Sequence, residues 1–582
     1  MRINWSQFIP LVGQLKGYAP KTFRQDILAG LTVCIMLIPQ GMAYALLAGM
    51  PPIYGLYGGL IPLLLYGIFG TSRQLSVGPV AVSALLVLAG ISQVAEPGSN
   101  PYIALVILTG LLVGLGQLLL SMLRLGFLAN FLSHPVIMGF TSAAAIIIAA
   151  SQLKYLLGID IPRFEQTYQT ILYALQHALE IHWLSFTFCL GGMVIMLAIK
   201  RRLPYLPAAL IVSVISIILC AVLRLDQAGL AIVGNVPRGL PDFIIPTITW
   251  ATIYKVLPTV LTVTIIGIVE ALSIAKALEL KNKDVKIRPN QELLALGLGK
   301  VLGSFFQAIP TSASFTRSAV NNEAGARTGV ASIVAALATG LALIFFTPLF
   351  YYLPEATLAA IVLMAVRGLF EIKGAIELWK VHRIDFAMLV TTFVVTLALG
   401  IEEGVLTGVI LSLLMIIFQA SQPRVVTLGR LPDSRSYRDV ERFPDAVQFP
   451  GVLILRFDGP LFFLNAEYFK SAVIRAVHEQ GSLPELFILD ASSILDIDSG
   501  GLEALAEINS YLSSKNITFY LTGILGPVRD RMHQAGLAEA IGRKHQFLFI
   551  NDALLEFLPE YTGDSTWSES ALQHNLRKRS SR

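Results

Sequence analysis

Charged residues are scarce in this sequence. They make up 14% of its 582 residues, whereas about a quarter of the residues in a soluble globular protein are charged. Hydrophobic residues make up 55% and form long runs between about residues 28 and 420, while the rest of the chain has an ordinary globular composition. The sequence therefore predicts a membrane region followed by a soluble domain.

Cysteine is also scarce, and signatures of catalysis are missing. Cys34, Cys189 and Cys220 all lie in apolar runs, which favours packed thiols over disulfides or metal ligands. The sequence has no phosphate-binding loop, nucleophile–base arrangement or metal-spaced cluster, so it predicts no enzyme activity and no cofactor. The net charge of +5 is spread over short loops and not gathered on one face, which argues against nucleic-acid binding.

Fourteen apolar segments are predicted to cross a bilayer, which needs about 20 apolar residues per helix. Ten are continuous and lie near residues 28–47, 52–70, 101–122, 133–152, 184–200, 205–223, 256–275, 328–349, 384–400 and 403–420. Four are interrupted by glycine or proline and lie near residues 77–93, 292–306, 312–322 and 355–370. The sequence thus predicts an α-helical polytopic membrane protein with about 14 spans.

Basic residues occur in alternate connections between these segments, as the positive-inside rule requires when the N-terminus is cytoplasmic. The residues concerned are Arg73, Arg124, Lys200, Arg201, Arg202, Lys281, Lys283, Lys286, Arg288, Arg327, Lys373, Lys380 and Arg383. An even number of spans then places both termini of a cell-membrane protein in the cytoplasm. The predicted parts are a cytoplasmic segment without a signal peptide (1–25), a transport domain (26–421), a linker (422–435), a soluble domain (436–560) and a disordered basic tail (561–582), for which contact with anionic lipid is the alternative.

The chain resembles itself weakly at an offset of 230 residues. Residues 31–33 and 261–263 both read Leu-Thr-Val, and in this register Gln40 falls opposite Glu270. Apolar helices match easily by chance, but fourteen spans also divide into seven and seven. Because a repeat of seven spans has inverted topology, a common plan of transporters with a midplane site, we predict a 7+7 inverted repeat.

Two of the interrupted segments, one in each half, indicate where a site would lie. Proline suits a first helical turn and serine suits an N-cap, so each segment is predicted to open a short helix within the membrane. Two such N-termini facing each other present N–H donors and positive dipole ends to an anion. Arg317 would add a positive charge, unless its side chain extends to water at a helix end. The predicted substrate-binding residues in these segments are Gly78, Pro79, Val80, Ala81, Ser314, Phe315, Thr316 and Arg317.

Three further polar residues lie inside apolar spans. Apart from Asp385 and Glu403, which lie at span ends, Glu270 is the only acid within the continuous spans. A carboxylate at that depth costs about 2–3 kcal/mol or more unless it pairs, protonates or faces a cavity. We expect Glu270 to carry a proton that partly offsets the charge of an anion; the alternative is a structural role as a partner of Arg317 or a helix cap. Gln40 and Tyr44, one turn apart after Pro39, would donate hydrogen bonds to an oxyanion or else to a neighbouring helix.

Several motifs agree with a known family. They are residues 38–45 (IPQGMAYA), 69–73 (FGTSR), 76–79 (SVGP), 132–136 (LSHPV) and 303–307 (GSFFQ) with the loop that follows to 318. The chain resembles, from about residue 8 to about 560, the sulfate permease (SulP) family of anion transporters with a C-terminal STAS domain. The resemblance implies core and gate domains, elevator-like movement of the core, a homodimer in the lipid bilayer, and a substrate between the third and tenth spans, flanked by the first and eighth.

The resemblance also implies a small-anion substrate, which across the family is sulfate, bicarbonate, chloride, oxalate or a dicarboxylate. Glu270 matches an acidic position typical of proton-coupled sulfate carriers, which favours symport with protons. Nucleobase permeases share the architecture but place a carboxylate on the tenth span. Arg317 has the opposite charge, which favours an anion here.

The soluble domain alternates predicted strands and helices, which indicates a sheet with helices packed on it. A strand at 452–457 is predicted to pair with one at 461–464 across a Gly-Pro turn. Residues 497–502 resemble a loop of STAS domains and anti-sigma-factor antagonists, in which a serine at the position of Gly500 is phosphorylated. The glycine argues against that switch; Asp498 and Ser499 remain candidate regulatory residues, with helix capping as the alternative. We expect this domain to contact a second protomer or a cytoplasmic protein partner.

Three functions are consistent with these features. The first is a secondary active anion transporter that takes up sulfate with protons by an elevator-like mechanism. The second is a bicarbonate or dicarboxylate transporter or exchanger on the same fold. The third, from another class, is a membrane-tethered STAS regulator without transport.

Overall fold

The computed structural model describes residues 8–127, 133–162, 164, 166–203, 207–282, 285–432 and 434–558. The chain divides into two compact units, Met1–Ser412 and Leu413–Arg582. The predicted basic tail, 561–582, lies outside the described residues.

The first unit consists of apolar helices, several of which begin with proline, where the missing N–H has no helical partner to lose. The helices are α1 (Pro10–Gln14), α2 (Pro20–Leu47), α3 (Ile53–Tyr57), α4 (Ile61–Phe69), α5 (Ala81–Ile91), α6 (Asn100–Met122), α7 (His134–Ser151), α8 (Leu153–Leu157), α9 (Thr167–Gln176), α10 (Trp183–Arg202), α11 (Ala208–Leu223), α12 (Trp250–Lys281), α13 (Pro289–Phe305), α14 (Phe315–Glu323), α15 (Val330–Phe345), α16 (Glu355–Val366), α17 (Ile372–Val381), α18 (Arg383–Ala398) and α19 (Ile401–Ser421). The last of these continues into the second unit.

Helices occupy all fourteen predicted spans. Among the described residues, six helices are long and apolar enough to cross a membrane by length and composition alone: α2, α6, α7 with α8, α10, α12 and α19. The other spans are shorter or broken helices: α3 with α4, α5, α11, α13, α14, α15, α16 and α18. Two further helices, α9 and α17, are short and lie between spans.

The order of elements in the first half recurs in the second. α2 begins at Pro20 and α12 at Trp250, which is 230 residues later. The third span of each half is a two-residue strand followed by a short helix: β1 (Val77–Gly78) precedes α5, and β2 (Ser312–Ala313) precedes α14. The short helices α9 and α17 each follow the fifth span of their half. This recurrence agrees with the predicted seven-plus-seven repeat.

The helices of the first unit pack in two groups. In the group made of the first four spans of each half, α13 packs against α4 and α6, α15 against α2, and α12 against α5. In the group made of the last three spans of each half, α18 packs against α7 and α10 against α16. These groups correspond to the predicted core and gate, and α16 of the second group packs against α2 of the first.

The second unit is an α/β domain. The described residues form a sheet of six strands in the order β4-β3-β5-β6-β7-β8, in which β5 to β8 are parallel and β3 is antiparallel to both of its neighbours. The strands are β3 (Arg424–Arg430), β4 (Tyr437–Asp439), β5 (Val452–Asp458), β6 (Leu486–Asp490), β7 (Thr518–Thr522) and β8 (Gln546–Phe547). The helices are α20 (Ala466–Glu479), α21 (Ser499–Ser514), α22 (Gly526–Gln534), α23 (Leu537–Ile541) and α24 (Ile550–Phe557).

Side chains of the central strand β5 alternate between two cores. Leu453 and Leu455 join the core that contains residues of α20 and α21, whereas Val452 and Ile454 join the core that contains residues of α24. Successive side chains of a strand point to opposite faces of the sheet. Because both faces are covered, the strand is apolar at every one of these positions.

Two predictions for this domain are wrong. The region predicted as a linker, 422–435, contains β3, and β3 is the antiparallel partner of β5. The predicted partner at 461–464 is not a strand: Leu461 forms only an isolated parallel bridge with Ile497. The chain turns there instead, because the Asn465 side chain accepts a hydrogen bond from the backbone N–H of Phe462 at 3.0 Å. The prediction chose residues 461–464 as the partner of β5 because they are closer in sequence to β5 than β3 is.

Candidate functional site

The two broken spans meet inside the core. β1 and β2 pair antiparallel, with Val77 opposite Ala313 and Gly78 opposite Ser312. α5 begins three residues after this ribbon, at Ala81, and α14 begins two residues after it, at Phe315. The N-terminal ends of two helices from different halves of the chain are thereby brought to one place. Their amide N–H groups and positive dipole ends suit an anion.

The two helix ends differ in how they are capped. Ser314 is the N-cap of α14, and its side-chain oxygen accepts a hydrogen bond from the backbone N–H of Arg317 at 3.4 Å. Val80 is the N-cap of α5 and, in the part of the chain that the structure describes, provides no side-chain cap. The first turn of α5 therefore keeps amide donors that its own cap does not satisfy.

Hydrogen bonds between the two loops hold this arrangement in register. The backbone N–H of Ser76 donates to the Ser318 hydroxyl at 2.8 Å, and that of Ser314 donates to the Ser76 carbonyl oxygen at 3.0 Å. The Asn321 side chain donates to the carbonyl oxygen of Gln74 at 2.9 Å. Small hydroxyl residues suit these positions because they bond to the backbone while letting the loops approach closely.

Arg317 is buried, with 0% of its surface exposed. Its Nε donates to the Ser76 hydroxyl at 3.4 Å and its Nη1 to Oε1 of Gln40 at 3.3 Å. Its Nη2 has no hydrogen-bond partner among the described residues, and no described carboxylate forms an ion pair with it. The alternative position at a helix end in water does not occur. A buried cation with one unsatisfied donor group is the strongest feature of the site.

Gly78 lies directly against this guanidinium group. A Cβ atom at residue 78 would come within 3.1 Å of Nη2 of Arg317, which is closer than van der Waals contact allows. Glycine lets the ribbon backbone approach the arginine this closely without displacing the guanidinium group.

The remaining predicted residues differ in exposure. Pro79, Val80 and Ala81 are buried beside the ribbon, whereas Phe315 and Thr316 in the first turn of α14 are exposed, Phe315 by 62% of its surface. The end of α14 therefore borders accessible space, and Arg317 lies just behind it.

Gln40 and Tyr44 bring the first span to the same place. Both are buried on α2, which contains Pro39 within its length. Gln40 accepts the hydrogen bond from Arg317, and Tyr44 interacts electrostatically with both Arg317 and Glu270.

Glu270 reaches the site from α12, the counterpart of α2 in the second half. Its Oε2 is buried and has no hydrogen-bond partner among the described residues. The carboxylate interacts electrostatically with Arg317 and Lys300, but in the described part of the chain it forms no ion pair within 4.0 Å of either. The direct pairing of Glu270 with Arg317 that the sequence left open is thus not formed.

Sequence reasoning missed two polar residues near this site. Lys300 on α13 is 3% exposed, and its Nζ donates to Oε1 of Gln117 on α6 at 2.9 Å. The signal was present, because Lys300 is a cation inside one of the interrupted apolar segments, 292–306.

Glu292, also missed, has a positioning role. Its carboxylate accepts hydrogen bonds from the Tyr66 hydroxyl at 2.5 Å and from the backbone N–H of Thr71 at 2.6 Å. It also accepts one from the backbone N–H of Ser72 at 3.2 Å. A carboxylate with this many donors is well satisfied, and it fixes the loop that leads into β1.

The predicted regulatory loop lies in the α/β domain. Asp498 is the N-cap of α21: its two carboxylate oxygens accept from the backbone N–H of Gly501 at 2.8 Å and of Phe463 at 3.0 Å. Ser499 is exposed at the start of the helix. A Cβ at Gly500 would lie 2.9 Å from Cα of Phe463, so the position at which the antagonists carry their phosphorylated serine has no room here for a side chain.

Comparison with known proteins gave matches over nearly the whole chain. A model described as the sulfate permease family matches residues 23–392, and a STAS domain model matches residues 443–553. The chloroplastic sulfate transporter 4.1 of Arabidopsis thaliana is 37% identical over 572 residues, which cover 95% of this chain and 83% of that protein.

Solved structures of transporters also match the fold of this chain. The murine solute carrier 26 family member A9 anion transporter, in its inward-facing state, matches with a TM-score of 0.87 and 26% identity over 96% of this chain and 95% of that chain. The transmembrane domain of the cyanobacterial bicarbonate transporter BicA shares the fold, with a TM-score of 0.59 and 21% identity over 68% of this chain and 98% of that domain.

Proposed function

This chain belongs to the sulfate permease family, and we propose that it is a secondary active transporter that takes up sulfate together with protons. The observation that supports this most is the buried guanidinium of Arg317, which has no ion-pair partner among the described residues and lies against the ribbon that precedes two helix N-termini. The sulfate transporters named among its relatives support the choice of anion. The proposal includes no enzymatic activity.

The substrate would bind between α5 and α14. The amide groups of the segment from Gly78 to Ala81 and of the segment from Ser314 to Arg317 would donate to sulfate oxygens. Arg317 would supply charge and a free N–H at Nη2, and guanidinium geometry suits an oxyanion with two oxygens in one plane. Gln40 and Tyr44 would add neutral donors from α2.

Proton coupling would depend on Glu270. An ionised carboxylate near the pocket repels a divalent anion, and in a medium of low polarity that repulsion is strong. Protonation of Glu270 removes the repulsion, so the proton and sulfate are bound together. Elevator-like movement of the core against the gate would then carry both across the membrane.

The finer features of the proposal concern placement and assembly. We propose a location in the cell membrane with both termini in the cytoplasm, a homodimer, and a cytoplasmic protein partner for the STAS domain. Terminal epitope tags that react with antibody only after the cells are permeabilised would support the orientation; labelling of intact cells would contradict it. The mass of the purified protein in detergent tests the dimer.

Uptake of radiolabelled sulfate into proteoliposomes tests the proposed function. An acid-outside gradient should accelerate uptake by the purified full-length protein, and a protonophore should remove the acceleration. The Arg317→Ala variant should lose uptake, whereas Arg202→Ala, at the exposed end of α10, should retain it. Flux of bicarbonate or a dicarboxylate without flux of sulfate would identify one of these anions as the substrate in place of sulfate. Absence of flux with every anion would favour the membrane-tethered regulator without transport.

A further inference from the structure

Lys300 is a buried lysine whose partner is neutral. Its ammonium group donates to Oε1 of Gln117 at 2.9 Å, and no described carboxylate lies within 4.0 Å of it. An ionisable group at membrane depth is costly and ordinarily faces a partner, a cavity or a substrate. Glu270 is the charged group that interacts with Lys300 electrostatically, so the lysine acts on the same space as the carboxylate.

Polar atoms without partners connect Lys300 to the ribbon. Among the described residues, the buried Nε2 of Gln117, the hydroxyl of Thr264 and Oε2 of Glu270 lack a hydrogen-bond partner, and the Ser312 hydroxyl interacts with the carboxyl group of Glu270. A Cβ at Gly267 would lie 3.7 Å from Nε2 of Gln117 and 3.9 Å from the Ser312 hydroxyl. These two groups therefore border the same glycine, and Ser312 is paired with Gly78 in the ribbon.

The three ionisable groups define the net charge of this space. Arg317 contributes one positive charge. Glu270 and Lys300 together are neutral when they hold one ionisable proton between them, whichever of the two carries it. When this pair binds one further proton, it carries one positive charge. Together with Arg317, the three groups then carry two positive charges. Two charges neutralise a divalent anion, whereas without Lys300 the same protonated site would carry only one.

We infer that Lys300 is a specificity-determining residue that makes the site select divalent over monovalent anions by supplying its second positive charge. The inference deepens the proposed function and rests on it. It requires no contact between Lys300 and the anion, because the charge acts across a short stretch of buried polar groups.

Competition experiments with the full-length protein test this inference. The experiment measures the concentrations of unlabelled sulfate and of chloride that halve the binding of radiolabelled sulfate. Their ratio gives the preference of the site for a divalent over a monovalent anion. In Lys300→Met the sulfate concentration should rise about tenfold relative to that of chloride, because a divalent anion loses twice the attraction that a monovalent anion loses. Lys300→Arg, which keeps the charge, should shift the ratio less than about twofold. So should Lys200→Met, at the exposed end of α10.

A second variant keeps the inference testable if Lys300→Met fails to fold. Gln117→Glu is isosteric and places a carboxylate beside the ammonium group, so it should reduce the preference for sulfate to a similar degree while Lys300 stays in place. A double variant, Glu270→Gln with Lys300→Met, should prefer monovalent anions at every pH, whereas Glu270→Gln alone should keep the preference for sulfate.

An unchanged ratio in folded Lys300→Met or Gln117→Glu protein would overturn the inference. That result is distinct from failure of the proposed function, in which the unmodified protein takes up no sulfate.

Discussion

The guanidinium of Arg317 donates a hydrogen bond to the side-chain oxygen of Gln40 across 277 residues of chain, with Nη1 and Oε1 3.3 Å apart. The arginine belongs to the third span of the second half and the glutamine to the first span of the first half. This contact joins the two halves at the point where α5 and α14 begin. A site built in this way is incomplete in either half alone.

Gln40→Glu should weaken anion binding while leaving the protein folded. The new carboxylate would form a buried ion pair with Arg317 and occupy the charge that the anion needs. Sulfate affinity should fall at least about tenfold. Sulfate-dependent thermal stabilisation measures the loss, with Gln227→Glu on an exposed loop as the control. Equal affinity in both variants would remove Gln40 and Arg317 from the binding site.

Gly78→Ala should weaken sulfate binding through Arg317. The added methyl group would come within 3.1 Å of Nη2, so the guanidinium must move away from the ribbon. The cost of such a clash is typically about 1–3 kcal/mol. Gly191→Ala on α10 is the matched control, because a Cβ there meets no atom within 4 Å. Sulfate titration of both variants decides the point, and identical affinities would mean that the ribbon does not position the arginine.

Glu270→Gln should keep sulfate binding and lose the response to a proton gradient. Glutamine mimics the protonated carboxyl group, so the site stays ready for the anion at every pH. Sulfate uptake into proteoliposomes should then be equal with and without acid outside. Glu323→Gln, at the exposed end of α14, should behave like the unmodified protein. Full proton acceleration of Glu270→Gln would assign the carboxylate a structural role.

Gly500→Ser should destabilise the STAS domain and should not restore a phosphorylation switch. The serine Cβ would lie 2.9 Å from the backbone of Phe463, and a displaced backbone typically costs about 1–3 kcal/mol. Thermal unfolding of the full-length protein measures the change, with Gly526→Ser, where a Cβ meets no atom within 4 Å, as the control. Unchanged stability of Gly500→Ser would show that the loop accommodates a side chain at residue 500, and would contradict the prediction.

The sequence predicted the membrane architecture well because its signals are local and physical. Apolar length and the alternation of basic loops determine the spans. Gly78 and Pro79 interrupt one of the two broken spans, and a run of hydroxyl residues interrupts the other. Arg317 was identified because it follows a run of hydroxyl residues at such an interruption. The predicted fold class, fourteen spans followed by an α/β STAS domain, is confirmed by the structure and by the family match.

The features that sequence reasoning missed depend on contacts between distant elements. Lys300 and Gln117 are 183 residues apart, and each lies in a mainly apolar stretch of helix, so neither suggested a partner. β3 was assigned to a linker because a short apolar run beyond the Gly-Pro turn lay nearer to β5. In both cases the local sequence pattern was read correctly, but the interaction partner lies far away in sequence and is determined by the tertiary fold.

The most direct test is the position of a bound substrate analogue. Selenate has the shape and charge of sulfate, and its selenium is located by anomalous scattering from crystals of the full-length protein. We predict a selenium peak within hydrogen-bonding reach of Nη2 of Arg317 and of the first backbone amides of α5 and α14. A selenate ion bound elsewhere, with this space unoccupied at saturating concentration, would contradict the account.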